Sequence, residues 1–154
     1  MGRAPSIAAV FSRLRRRIFP STDLEEEAPH SKLGRQGERF AAAHLKRNGY
    51  KLLYRNFKPA RGGEVDLVCR DKAANTLVFV EVKTRSSRVF GDPSAAVDLD
   101  KQNLIARGAL TWLRMLDDPD VLFRFDIVEV ILEDEVADCN LIRNAFQLPD
   151  RYSW

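Results

Sequence analysis

The residues best suited to chemistry lie in two short segments, Gly63–Val68 and Leu77–Arg85, which carry Glu64, Asp66, Glu81 and Lys83 at alternate positions among β-branched and aromatic residues. Such alternation predicts two strands, and Asp71, Lys72 and Asn75 between them supply turn chemistry. With a loop over residues 72–75, Asp71 faces Thr76, Asp66 lies opposite Glu81 and Glu64 opposite Lys83. Opposed residues hold their Cβ atoms about 4.5–5.5 Å apart, and like charges there are destabilising unless a cation intervenes. A close pair of carboxylates suits a hard divalent cation, Mg²⁺ or Mn²⁺, which takes oxygen ligands. The same charges also read as a solvated salt-bridge ladder, and a loop one residue longer or shorter breaks the opposition.

The elements that position this pair follow from pattern. The other hairpin face, Val65, Leu67, Cys69, Val78, Val80 and Val82, is apolar and predicts packing on a core. A helix is expected from Ser31 to Asn48–Gly49. Within it Glu38 shares a stripe with Ala41, Ala42 and Leu45, so it is either an acid favoured by the helix dipole or a group the site uses. Residues 50–57 read as the first strand, and Pro59–Gly63 turns the chain into the hairpin. Arg61 in that turn is an exposed arginine or a phosphate contact. Beyond Arg85, residues 86–93 read as a loop. Asp98 or Asp100 caps a second helix running to about Met115, with Leu104, Ile105, Ala109, Trp112 and Leu113 buried. Lys101 falls in its first turn, where a cation opposes the dipole. Residues 117–120 form a turn and Val121–Leu132 a strand whose Arg124 and Asp126 predict a structural ion pair reaching Arg85. Residues 140–147 add an edge strand, and Arg151–Trp154 pack on the domain or stack on a base.

An acidic residue on one strand, followed after 14 intervening residues by Glu81-Val82-Lys83 on the next, resembles the PD-(D/E)XK nuclease superfamily. Gly-Glu-Val-Asp-Leu-Val at 63–68, Phe-Val-Glu-Val-Lys-Thr-Arg at 79–85, Gly37-Glu38 and Arg124-Phe125-Asp126, in that order, are similar to the YraN family of small endonuclease-like proteins. The resemblance implies an α/β fold, the restriction-endonuclease-like αβββαβ sandwich with a mixed central sheet. It also implies Mg²⁺- or Mn²⁺-dependent cleavage of DNA phosphodiester bonds, in repair, recombination or processing. Asp66, Glu81 and the Val82 carbonyl would ligate the metal, Lys83 would act on the attacking water, and Glu38 would assist. Arg61, Arg85 and Lys101 become candidate substrate contacts. A homodimer is expected if the substrate is a Holliday-type junction. The alternative is a noncatalytic nucleic-acid- or protein-binding module that retains the fold.

Composition bounds these readings. At 154 residues the chain is long enough for one core, and no run of about 18 apolar residues predicts a membrane span. Cys69 and Cys139 stand far apart and read as reduced thiols of a cytoplasmic protein; His30 and His44 are isolated. The net charge of +3 hides an asymmetry, because residues 1–20 carry Arg3, Arg13, Arg15, Arg16 and Arg17 and no acid. Residues 1–30 are therefore expected to be a basic arm and linker that contacts phosphates, with a presequence or a membrane-surface helix as the other readings. Residues 31–154 form the expected domain.

Overall fold

The computed structural model describes residues 29–86, 97–118 and 120–152. Helix α1 spans Pro29–Arg47, strands β1, β2 and β3 span Tyr50–Phe57, Val65–Asp71 and Thr76–Arg85, and helix α2 spans Leu99–Leu116. Strands β4, Phe123–Glu133, and β5, Val136–Phe146, complete a five-stranded sheet of order β1-β2-β3-β4-β5. Strands β3 and β4 are parallel and the other neighbours antiparallel, so the sheet is mixed. A parallel pair needs a crossover, and α2 lies within it. This is an α/β architecture consistent with the αβββαβ order of the restriction-endonuclease-like fold. The basic arm, most of the loop after Arg85 and the last two residues lie outside the described residues.

Successive residues of a strand point to opposite faces, and both faces of this sheet are apolar. Val78 and Val80 of β3 pack with Leu67, Cys69 and Val128 under Ala41, Ala42 and Leu45 of α1. Leu77 and Phe79 pack with Val68, Phe125 and Ile127 under Ile105, Ala109 and Trp112 of α2. Hairpin residues expected to be one charged face are therefore half covered by a second helix. Val65, expected on one face with Leu67 and Cys69, is separated from them and joins the α2 side instead. The reason lies at Asn56, whose left-handed φ of 51° reverses the pleat of β1, so that Phe57 and its partner Val65 turn together toward α2. Burial pushes the Cys69 thiol up to about 12, which suits a packed, inert cysteine.

Other expectations shift in detail. Helix α1 begins two residues earlier than its expected Ser31 start, and β5 extends from Val136 rather than residue 140. Asp98 is the N-cap of α2, its carboxylate accepting from the Lys101 amide at 2.8 Å. Arg124 does pair with Asp126, at 2.9 Å, but its other partner is Asp71, not a group near Arg85. Arg85 lies instead 3.5 Å from Glu129, because parallel pairing sets Lys83 beside Glu129 and carries Arg85 five positions past Val80, which pairs with Asp126.

Candidate active site

The register of the hairpin runs from Asp71↔Thr76 to Leu67↔Val80, as the turn chemistry predicts. Beyond that pair the backbones stop pairing and a side chain takes over. Asp66 Oδ2 accepts from the Val82 amide at 2.8 Å, filling the place of a ladder hydrogen bond. Glu64 does not reach Lys83: its amide donates to the Leu104 carbonyl of α2 at 3.1 Å, and its carboxylate lies 3.5 Å from Lys58. The hairpin therefore splays at one end, with Asp66 and Glu81 inside the opening.

Glu81 is 3% exposed and Asp66 7%. Two lysines converge on Glu81 Oε1, Lys83 at 3.7 Å and Lys101 at 3.4 Å. The second oxygen, Glu81 Oε2, is buried without a hydrogen-bond partner. Burial and then the Asp66 charge raise the Glu81 carboxyl to about 8, against the opposing pull of Lys101 and Lys83. Burial works against the Lys101 ammonium, yet Glu81, Asp66 and Glu64 outweigh it and raise its pKa. The dipole penalty expected for a first-turn lysine is thus offset by three acids.

Backbone proximity makes this convergence possible. Gly63, at φ +107°, sits so close to the Gly108 backbone of α2 that a Cβ would overlap it, and Gly108 itself has room only for hydrogen against Val65 and Glu64. These two glycines let α2 approach the turn before β2 and bring Lys101 over Glu81. On the opposite face a Cβ on Gly37 would collide with the Thr84 side chain, so α1 seats directly on the residue after Lys83. Glu38 follows. It is half-buried, accepts from Asn56 Nδ2 at 3.0 Å, and has its pKa raised by burial and by Asp66 despite that hydrogen bond.

The structure therefore gathers Glu38, Asp66, Glu81, Lys83 and Lys101 at the open end of the hairpin. Arg61 is exposed in the turn, and Arg85 is held by Glu129. Asn56 escaped sequence reasoning. Its one signal is its type, since asparagine tolerates left-handed backbone better than other non-glycine residues.

The donor set fits a hard divalent cation. Asp66 and Glu81 supply carboxylates, and the buried Oε2 of Glu81 meets no donor among the described residues while its carboxyl faces Asp66. The N–H and C=O of one strand residue leave on the same edge, so the Val82 carbonyl also faces the splayed gap. Among the described residues no group of three or more His, Cys, Asp or Glu side chains converges for a metal. Two carboxylates with water and substrate oxygens completing the shell is how Mg²⁺ is commonly held.

Comparison with known proteins gives a consistent lineage. The model of the uncharacterised protein family UPF0102 matches residues 37–130, which include every residue of the site. UPF0102 proteins of Geobacter metallireducens and Geobacter sulfurreducens are 45% and 46% identical over 120 and 125 residues, covering 77% and 80% of this chain and 96% and 95% of theirs. A UPF0102 protein of Clostridium botulinum is 40% identical over 119 residues, 75% of this chain and 94% of its own. No solved structure matches. No helix among the described residues is long and apolar enough to cross a membrane.

Proposed function

The chain belongs to the uncharacterised protein family UPF0102, and we propose that it is a metal-dependent endonuclease of the PD-(D/E)XK type, similar to the YraN proteins, hydrolysing DNA phosphodiester bonds. The observation that carries this reading is the buried Asp66–Glu81 pair, one of whose oxygens has no partner. A buried carboxylate of purely structural use is satisfied by hydrogen bonds. This one is arranged to receive something else.

Asp66 and Glu81, with the Val82 carbonyl, would hold Mg²⁺ or Mn²⁺. The bound ion supplies Lewis acidity, lowering the pKa of a coordinated water and offsetting charge on the phosphate. Asp66 is fixed for this task by the Val82 amide, so its free oxygen keeps one orientation. Lys83 reaches the solvent side of Glu81, where it orients the attacking water and donates to the charge growing on the phosphate oxygens. Lys101 approaches the same oxygen from α2 and donates to a non-bridging phosphate oxygen. Glu38 borders Asp66 from the other side and keeps the surrounding field negative.

The test is cleavage of labelled linear duplex, single strand, flap and four-way junction, with Mg²⁺, Mn²⁺ or chelator. Cleavage that requires metal and falls at least about 100-fold in both Glu81→Ala and Lys83→Ala is the expected result. Absence of cleavage by folded wild type, together with absence of Mn²⁺ binding, would sink the reading in favour of a noncatalytic module.

A further inference from the structure

A groove of about 490 Å³ lies between the flank of α1 and the edge strand β1. Arg39 and Lys46 of α1, Lys51 and Arg55 of β1, and Lys72 of the β2–β3 turn all line it, and no acidic side chain does. None of the five makes an ion pair among the described residues. That concentration is unexpected in a chain whose residues beyond position 20 hold 20 basic and 22 acidic side chains.

Local geometry explains how the cations gather. Arg39 and Lys46 are two helical turns apart, about 10 Å along α1, and the small Ala42 and Ala43 lie between them and keep that wall low. On β1 a register shift between Leu52 and Tyr54 places both Leu53 and Tyr54 on the α2 side. The strand then resumes with Arg55 paired to Leu67, a residue of the α1 side. Without the bulge, the odd spacing from Leu52 would send Arg55 to the opposite face. The next residue, Asn56, holds Glu38 beside Asp66. The row of cations therefore starts at the β2–β3 turn and ends next to the candidate active site.

We propose that this groove binds a nucleic-acid phosphate backbone and delivers the strand to Asp66 and Glu81; the delivery rests on the nuclease reading, whereas the binding stands without it. Five cations that form no ion pair among the described residues, in a groove with no acidic lining residue, match a repeating anion, and each neutralised phosphate releases counterions. The ammonium and guanidinium groups supply charge and hydrogen bonds to phosphate oxygens but read no base edge.

The experiment compares full-length wild type with the groove triple K46Q/K51Q/K72Q and a control triple, K32Q/R107Q/R114Q, that removes the same charge from exposed positions elsewhere. Fluorescence anisotropy with a labelled duplex is followed from 50 to 200 mM salt in chelator, so that no cleavage occurs. The groove triple is expected to lower the salt slope by about 3 and the control triple to leave it nearly unchanged. Equal losses in the two triples, or no loss in the groove triple at unchanged melting temperature, overturn the proposal. So does wild type that binds anionic vesicles or polyglutamate, rather than DNA, through these residues. Metal-dependent hydrolysis of bis(4-nitrophenyl) phosphate separates the two readings. It should persist in the groove triple, and a groove-dependent slope in a protein that hydrolyses nothing would leave the groove standing while removing the nuclease.

Discussion

Two clusters in this molecule bury a pair of carboxylates beside cations, and they are built to opposite rules. In the first, Arg124 joins Asp71 and Asp126. Asp126 is fully buried; its Oδ1 accepts from Arg124 Nε and the Asn144 amide, each at 2.9 Å, and its Oδ2 from Tyr50 at 3.2 Å and Arg124 Nη2 at 3.1 Å. Asp71 accepts from Arg124 at 2.9 Å and from the Ala73 and Ala74 amides. Every oxygen has a donor, and β1, β2, β4 and β5 are clasped together. In the second, Asp66 and Glu81 share two lysines that both approach one oxygen, and the other is left open. Burial alone does not mark a site. What sets the second cluster apart is a buried carboxylate pair that joins an unanswered oxygen to two converging lysines.

The largest expected effect tests the clasp. Arg124→Met removes one guanidinium and strands two buried carboxylates, which should cost about 3–5 kcal/mol in urea unfolding. Glu81→Gln in metal-free protein puts a neutral amide of the same shape where burial and Asp66 already disfavour the ionised carboxyl, so near neutral pH it should leave stability nearly unchanged while activity is lost. If Glu81→Gln destabilises as much as Arg124→Met, the distinction between the clusters fails.

Next in size is a change that loosens the site and leaves the clasp alone. Gly63→Ala meets both a left-handed φ and the backbone of Gly108, costing about 1–3 kcal/mol from strain, with the overlap adding to it. Because relief requires α2 to back away, Lys101 should move off Glu81. Activity should fall further than the stability loss accounts for, and a variant that unfolds earlier yet keeps full activity would detach α2 from the chemistry.

Much of this contrast was legible in the sequence, and the limits are physical. Turn residues at Asp71 and Asn75 fix the hairpin register, so the meeting of Asp66 with Glu81 follows from pattern alone. What pattern cannot reveal is where a ladder ends. The splay that redirects Glu64 to Lys58 depends on the Gly63–Gly108 contact between segments more than 40 residues apart. Alternation also misassigns Val65, because one left-handed residue, Asn56, reverses the pleat. The basic groove is invisible for the same reason, since its cations come from a helix, a bulged strand and a turn, with no local motif. Arg124–Asp126 was readable as a pair two residues apart, while Tyr50 and Asp71 join it only through the sheet.

A third test uses pH in chelator. The Glu81 carboxyl, facing Asp66 on β2, Lys83 on β3 and Lys101 on α2, titrates higher in the folded chain, near 8, than its ordinary 4.5. The folded state therefore binds more protons between those values, and stability should fall as pH climbs through that window. Asp71 behaves oppositely. Burial pushes its carboxyl up, but the hydrogen bonds from Arg124 and the Ala74 and Ala73 amides outweigh it and hold the group below 3.8. Its stabilisation is present above 3.8 and is lost as pH drops through the folded value. Urea midpoints should thus decline on both sides, and Glu81→Gln should flatten the upper limb without moving the lower one. An unchanged upper limb would assign that decline to another group.

The smallest effect asks whether Glu38 belongs to the site or only to the helix. Asn56 donates to Glu38 Oε2 from a backbone at φ 51°. Glycine adopts that backbone freely, so Asn56→Gly removes the donor with little strain, and stability should change by less than about 1 kcal/mol. The hydrogen bond favours the ionised carboxylate, and burial and Asp66 both oppose it. Without Asn56 the Glu38 pKa must rise. If ionised Glu38 shapes the field around Asp66, the acid limb of the cleavage pH profile should move upward in Asn56→Gly, while Glu38→Gln should lower cleavage at every pH and abolish that shift. Glu38 lies nine residues into α1, beyond the reach of the dipole expected to favour it. An acid that only ties Asn56 to the helix would therefore leave the profile of both variants superimposed on that of the wild type.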